Sequence, residues 1–365
     1  MMDRVTDSPL VTSRSALGRL ERLGQGGTAW VYRVPEFSLP GEGRLVYKEY
    51  RAAVRAKANP ALLPGLLSLT EFRARLPADR RAKLDQRTIW PLVVVTGDNG
   101  AALGIVMREI PAEFFQGSKP RELQLLFHSD DDARQQGLPR FDLHERLVIC
   151  ARIAASYMML HRLDIIIGDV SPRNIVFTLG ENPRLLAVDT DSARVKGTRG
   201  ALGAQPHTPA WEPPEALTAK RLLDQGRRSG QASAVELRGH ADTWQRQTKQ
   251  TDVYKFGLMV LRIIDYGRRC SRKRDPERAR RLLWERAGLG SADLLTRSLD
   301  SNPGARPTME DWYHAFRGRD GQGERAVGRV ARDKTRPADR GAAAGAVSRT
   351  VGGWRFVEGT GWIRE

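Results

Sequence analysis

Four stretches of this 365-residue chain carry side chains suited to work on phosphates. Leu23-Gly24-Gln25-Gly26-Gly27-Thr28-Ala29-Trp30-Val31-Tyr32 sets three glycines where backbone N–H groups could come close to phosphate oxygens. A plain turn or a dinucleotide-binding loop uses the same residues, but such a loop opens a helix. Thr28 to Val34 is instead β-branched and aromatic, and reads as the second strand of a hairpin. At 17 residues past Val31, Val46-Tyr47-Lys48 sets an ammonium in an apolar strand, pointing at whatever the hairpin covers. Gly168-Asp169-Val170-Ser171-Pro172-Arg173-Asn174 puts a carboxylate and a carboxamide five residues apart on a loop between two apolar runs. Those groups suit a proton-accepting base and a Mg²⁺ ligand. Leu185-Leu186-Ala187-Val188-Asp189-Thr190-Asp191 ends a buried strand in carboxylates, which is costly unless a cation meets them, as Mg²⁺ would. Each acidic pair taken alone also reads as a turn with Asp as its cap.

The elements that must position these groups fall into two lobes. Residues 1 to 16 are polar and without periodicity, and read as a loose lead-in. Residues 17 to 110 suit a small α+β lobe: strands over 17–34 and 44–50 joined by Pro40-Gly41-Glu42-Gly43, a helical stretch from Leu62 to Leu84, then strands at Leu92 to Thr96 and Leu103 to Glu109. Residues 111 to 317 suit a larger, mainly helical lobe. In it Leu147, Ala151, Ala154, Met158 and His161 recur at helical spacing between Leu143 and Leu163. Short strands are expected at 165–167, 175–179 and 185–188. Beyond Pro214 the pattern is helical to Phe316, interrupted by a polar, Arg-rich stretch from Leu217 to Gln250. From 318 the chain is rich in Gly, Ala, Arg and Asp; residues 318 to 350 read as a disordered linker that leads to aromatic clusters at Trp354/Phe356 and Trp362.

Composition narrows the chemistry. Only Cys150 and Cys270 are present, which excludes a disulfide framework and a four-cysteine metal site. No apolar run reaches the roughly 18 residues of a bilayer-spanning helix, and the start lacks a signal-peptide core, so a cytoplasmic protein without membrane partners is expected. The net charge of +17 is almost wholly arginine, 50 Arg against 10 Lys, and accompanies abundant Ala and Gly. The basic stretches Lys220 to Lys249 and Arg268 to Arg281 hold Trp244 as their one aromatic, so nucleic acid is not the expected partner.

Taken in order, the four stretches resemble the eukaryotic-like Ser/Thr protein kinases of bacteria, over about residues 17 to 317. The resemblance implies a bilobal α+β fold and transfer of the γ-phosphate of ATP, with Mg²⁺ or Mn²⁺, to a protein hydroxyl. It implies that Gly24, Gly26, Gly27, Val31, Met107 and Glu109 bind the nucleotide, with Lys48 on its α- and β-phosphates and Glu71 as the partner of Lys48. Asp169 would be the catalytic base, with Ser171 beside it in the catalytic loop, and Asn174, Asp189 and Asp191 would hold the metal. His207-Thr208-Pro209-Ala210-Trp211-Glu212-Pro213-Pro214-Glu215 is similar to the family's substrate-binding segment. Thr251-Asp252-Val253-Tyr254-Lys255-Phe256-Gly257 is similar to the start of its central buried helix. Asn302-Pro303-Gly304-Ala305-Arg306-Pro307-Thr308 is similar to the turn whose arginine pairs with the segment's glutamate, here Arg306 with Glu215.

Departures from the pattern bear on activity. Ile167-Gly168 stands where most members have His-Arg, so no arginine is available to read a phosphate on the activation segment. Ser171 replaces a lysine that contacts the transferred phosphate. Ala29 replaces the hairpin's third glycine, and Asp191 the glycine of the metal-binding triplet. RIO kinases and aminoglycoside-type phosphotransferases resemble the Gly-Asp and Asp-x-Asp patterns and still transfer phosphate. The alternatives are a nucleotide-binding pseudokinase scaffold and a small-molecule kinase. The branch most similar to Asp169 to Asn174 and Asp189 to Ser192 is often found beside PP2C-type phosphatases and von Willebrand A-domain proteins, which makes these possible partners. The stretch 217–250 is expected to border the acceptor groove and to recruit an acidic substrate.

Overall fold

The computed structural model describes residues 10–317, apart from Glu181, Arg199, Ala204, Pro206 and residues 268–274, together with the backbone of two strands near the C-terminus. Alternating side chains in the first lobe build one six-stranded sheet. Its strands are β1 (Val11–Ser13), β2 (Glu21–Gln25), β3 (Ala29–Arg33), β4 (Leu45–Tyr50), β5 (Val93–Thr96) and β6 (Ala102–Arg108), in the order β1-β5-β6-β4-β3-β2. Period two sorts the residues onto two faces. Val46, Tyr50, Ile105 and Met107 join the main core, while Leu45, Tyr47 and Val106 join a smaller outer cluster with Leu17 and Val34. The loose lead-in is corrected from residue 11 onward, because β1 pairs in parallel with β5, Val11 opposite Val94. Three residues are too few to display a period, so only the pairing reveals the strand.

Helices α1 (Ala52–Ala58), α2 (Leu62–Arg75) and α3 (Ala78–Asp85) cross between β4 and β5. The single helical stretch expected over 62–84 is two helices. Leu76 precedes Pro77 and is extended (φ −68°, ψ 139°), as the proline ring requires of the residue before it. Leu62, Leu66 and Leu69 are buried, and the Trp90 indole donates to the Leu69 carbonyl at 2.9 Å. Gly65 lets α2 close onto the loop of the second lobe, since a Cβ there would stand 2.3 Å from the Ala201 Cα.

The second lobe runs β7 (Phe115–Gln116), β8 (Lys119–Pro120), α4 (Asp130–Gln135), α5 (Leu143–Arg162), β9 (Ile165–Ile166), β10 (Ile175–Phe177), β11 (Leu185–Ala187) and β12 (Arg194–Val195). It continues with α6 (Pro214–Ser229), α7 (Ala234–Gln245), α8 (Lys249–Ile264), α9 (Pro276–Ala287), α10 (Leu289–Ser298) and α11 (Met309–Arg317). A capping box between Asp142 and Glu145 starts α5. Val253, Phe256, Met259, Val260 and Ile263 of α8 lie in the main core, each such buried side chain contributing about 1.5–3 kcal/mol. The interruption expected over 217–250 is instead a helical hairpin, α6 and α7. Its signals are caps: Pro214 in the first turn of α6, Gly230 in the left-handed region at its end (φ 66°), and a Ser233/Glu236 capping box opening α7. No residue of α7 is buried, which is why apolar periodicity fails to announce it. Beyond residue 317, strands β13 (Trp354–Val357) and β14 (Gly361–Arg364) pair as an antiparallel hairpin. The linker expected over 318–350 and Cys270 lie outside the described residues.

Candidate active site

The sheet register brings the first two groups together. Lys48 on β4 lies opposite Val31 on β3 and Ile105 on β6, so the ammonium emerges beneath the glycine hairpin. Neither packing nor a left-handed backbone asks for glycine at 26 and 27. A Cβ at Gly27 would meet nothing within 4 Å, and one at Gly26 only the Ala29 carbonyl at 3.9 Å. That room is what a ligand reaching the backbone needs. Gly24 lies at a register irregularity between β2 and β3. Arg51 holds the hairpin, donating to the Gly26 carbonyl at 3.2 Å with its guanidinium 4.6 Å from the Trp30 ring centre.

Opposite the sheet, the loop between β9 and β10 presents Asp169. Its Oδ1 accepts from the Thr208 hydroxyl at 2.5 Å and its Oδ2 from the Asn174 amide at 3.1 Å. A second bond from the same Asn174 amide to the Asp169 carbonyl, at 3.0 Å, closes the loop on itself. Asp169, Asn174 and Asp189 line one pocket with Val188 and Thr190. Asp189 follows β11 in the left-handed region (φ 56°), which Asp and Asn enter more readily than other residues with a Cβ, and its side chain is 56% exposed.

Lys48 is buried and bonded to two carboxylates, Asp189 Oδ1 at 3.2 Å and Asp191 Oδ1 at 2.8 Å. Burial by itself would lower its pKa, but Asp189 and Asp191 outweigh burial and hold the ammonium above the ordinary lysine range. Glu71 is not its partner. The Glu71 carboxylate bonds Arg75 one turn along α2 at 2.7 Å. Asp191 is not placed as a metal ligand either: it is 2% exposed and its second oxygen accepts from the Tyr50 hydroxyl at 2.6 Å. For Mg²⁺ the remaining donors fit. The Asn174 amide nitrogen is turned to Asp169, which leaves its carbonyl oxygen, and Asp189 keeps one oxygen. Among the described residues no group of three or more His, Cys, Asp or Glu converges, so phosphate oxygens and water would complete the shell.

Of two further residues expected at the nucleotide, Met107 lies on the sheet face that carries Lys48 and the Glu109 side chain points elsewhere. Glu109 makes a two-pronged ion pair with Arg33 (2.6 and 3.2 Å), and its amide bonds the Arg44 carbonyl, so only its own carbonyl is open. Met107 is packed in the main core opposite Val46. Ser171 is buried, its hydroxyl accepting from the Arg173 amide at 3.3 Å.

The loop rests on α8. Asp252 accepts from the amides of Ile167 (2.8 Å) and Gly168 (2.9 Å) and lies 3.1 Å from His161 Nε2. Gly168 has φ 73°, and a Cβ on it would strike the Gln205 side chain at 2.3 Å. Lys255, wholly buried, donates to the Gly168 carbonyl at 2.6 Å and to Gln247 at 2.5 Å. Gln247 in turn donates to the Gln205 carbonyl, and Gln205 to the carbonyls of Ile166 and Ser192, each at 3.2 Å. Burial lowers the Lys255 pKa to about 8 despite Asp252 and Asp169 nearby. Arg306 grips Glu215 with two bonds of 2.8 and 2.7 Å, anchoring the segment that carries Thr208. His207 stacks on Trp244 at 4.6 Å, and burial drops its pKa to about 4. Glu122, absent from the sequence reading, is pushed up to about 7 by burial beside Arg173 and Asp189.

The comparisons agree with this geometry at the level of architecture. A mutant kinase domain of PknI from Mycobacterium tuberculosis superposes with a TM-score of 0.50 at 16% identity, covering 82% of this chain and 96% of that one. The chain has a protein kinase-like fold. No protein-family model matches it, and neither does any curated protein. Among the described residues no helix of this kinase-like chain is long and apolar enough to cross a membrane. Tyr50 is the site residue a sequence reading could have recovered: it lies two residues beyond Lys48 and therefore on the same strand face. Gln205, Gln247 and Lys255 leave no such trace, because their partners are backbone carbonyls and amides.

Proposed function

We propose that the chain is an ATP-dependent Ser/Thr protein kinase. One observation carries the reading: both oxygens of Asp169 are fixed, by Thr208 and by Asn174, in the cleft that Lys48 and Asp189 share. In this mechanism the glycine hairpin and Lys48 hold the nucleotide phosphates. Asp169 orients a substrate hydroxyl and takes its proton as the oxygen attacks the γ-phosphorus and ADP leaves. Mg²⁺, held by Asn174 and Asp189, would supply neutralisation of charge on the phosphates. The Glu215 and Arg306 anchor supports a protein acceptor, because it fixes a segment on which a peptide could lie. The outer face of α6 supports an acidic one: an open groove there of about 730 Å³ is lined by Leu217, Lys220, Arg221, Asp224 and Arg228.

A nucleotide-binding scaffold is the second reading. It is favoured by Ser171, which offers no cation beside the base and has its hydroxyl engaged by Arg173. Intact-mass analysis after incubation with Mg-ATP and a generic acidic protein acceptor separates the two. Wild type is expected to add phosphate to itself or the acceptor, and Asp169→Ala and Asp189→Ala to add none. Nucleotide binding without transfer in wild type would move the conclusion to the scaffold, and unchanged transfer in Asp189→Ala would break the site assignment.

A further inference from the structure

The surroundings of Lys48 contain one acidic group that nucleotide chemistry does not require. Asp189 suffices as a carboxylate shared between lysine and cation, yet Asp191, two residues on, is the closer partner of Lys48 and is far more deeply buried. A buried carboxylate is costly unless fully paired, and both oxygens of Asp191 are paired. Tyr50 supplies the second bond from the same face of β4 that carries Lys48, its ring centre 5.9 Å from the ammonium. The turn that bears Asp191 is itself tied down: Thr190 donates to the Ile89 carbonyl at 2.6 Å and Ser192 to the Asp189 carbonyl at 3.1 Å. Helix α2 offers nothing equivalent. Its buried residues include Leu62, Leu66 and Leu69, and its acidic residue Glu71 is taken by Arg75.

We propose that Asp191, oriented by Tyr50, is the positioning residue that aims Lys48 at the nucleotide phosphates, from the turn after β11 instead of from helix α2. The inference rests on the nucleotide-binding reading and adds a division of labour to it. With Asp191 holding the ammonium, Asp189 can give up its contact with Lys48 to a cation. Without Asp191, Lys48 has Asp189 alone to lean on and competes with the cation for it.

Two measurements on the full chain test this. The first is calorimetric titration with ATP at a series of Mg²⁺ concentrations. Asp191→Asn is expected to raise the Mg²⁺ needed for half-maximal ATP affinity about tenfold, Asp191→Glu to restore most of it, and Glu71→Ala to leave it at the wild-type value. The second reads Lys48 without nucleotide, as the rate of its acylation by an amine-reactive anhydride followed by peptide mass spectrometry. Lys48 is expected to be protected in wild type and in Glu71→Ala, and to react several-fold faster in Asp191→Asn. Tyr50→Phe loses one hydroxyl and keeps the ring, so it stays informative if Asp191→Asn fails to fold. It is expected to shift both readings the same way by a smaller factor. Wild-type values for both readings in Asp191→Asn, or in Tyr50→Phe should Asp191→Asn not fold, would overturn the proposal, as would an equal loss in Glu71→Ala. A wild type that binds no ATP would overturn the nucleotide reading and with it the phosphate role of the pair; the acylation shift would then mark Asp191 as a structural clamp only.

Discussion

The cleft has a buried lysine on either side, and their partners hold the two in opposite ways. Lys48, in the sheet above, touches two carboxylates and is held in its charged form. Lys255, beneath the loop of Asp169, bonds a backbone carbonyl and an amide oxygen, and its pKa falls to about 8. Desolvation acts on both, and direct contact with carboxylates decides the sign. The side that would meet phosphate thus keeps its charge whatever the pH of ordinary buffers. The other side is a joint of backbone amides and carbonyls, two glutamines, Lys255 and the Asp252 carboxylate, and it fixes the shape of a loop.

That contrast can be broken from the largest effect downward. On the lower side the acceptor segment is anchored by the ion pair of Arg306 with Glu215, where the arginine side chain is fully buried. Arg306→Ala leaves a carboxylate without its cation and is expected to cost about 3–5 kcal/mol in a urea unfolding series. A loss below about 1 kcal/mol would show that water reaches Glu215 and that the anchor is a surface pair.

Lys255→Met tests the joint itself through pH. An unfolded lysine keeps its proton up to about 10.5, and folded Lys255 only up to about 8, so between these values the unfolded state binds more protons. Wild-type stability should therefore rise relative to Lys255→Met as pH increases from 8 to 10.5, by at most on the order of 3 kcal/mol. A difference that stays flat over that window would mean Lys255 remains charged, and the contrast with Lys48 would disappear. Smallest is Glu71→Ala. It removes an exposed one-turn pair on α2, so stability should change by less than about 0.5 kcal/mol in the same urea series. A larger loss would return α2 to the positioning of Lys48.

The same contrast explains what the sequence could disclose. Lys48, Asp169, Asn174 and Asp189 were legible because each lies at the end of, or between, apolar runs whose elements are short and well marked. Glu215 and Arg306, 91 residues apart, were legible only through their flanking prolines and the order of motifs. Glu71 misled because a helix face fixes which residues are neighbours within it and says nothing of how the helix is turned toward a strand. Asp191 reads with Asp189 as one metal-binding pair, since closeness along the chain hides that the short turn at Thr190 buries one carboxylate against Tyr50 and leaves the other exposed, with Lys48 shared between them. Helix α7 escapes the apolar pattern because none of its residues is buried, and α6 because three of its four buried positions are only alanine or glycine, although Gly230 and the Ser233/Glu236 box are in view.

The stack of His207 on Trp244 joins the base of that hairpin, where α7 ends beside Lys220 of α6, to the residue next to Thr208, whose hydroxyl holds Asp169. The root of the hairpin and the hydroxyl that holds the carboxylate therefore hang on neighbouring residues, 207 and 208.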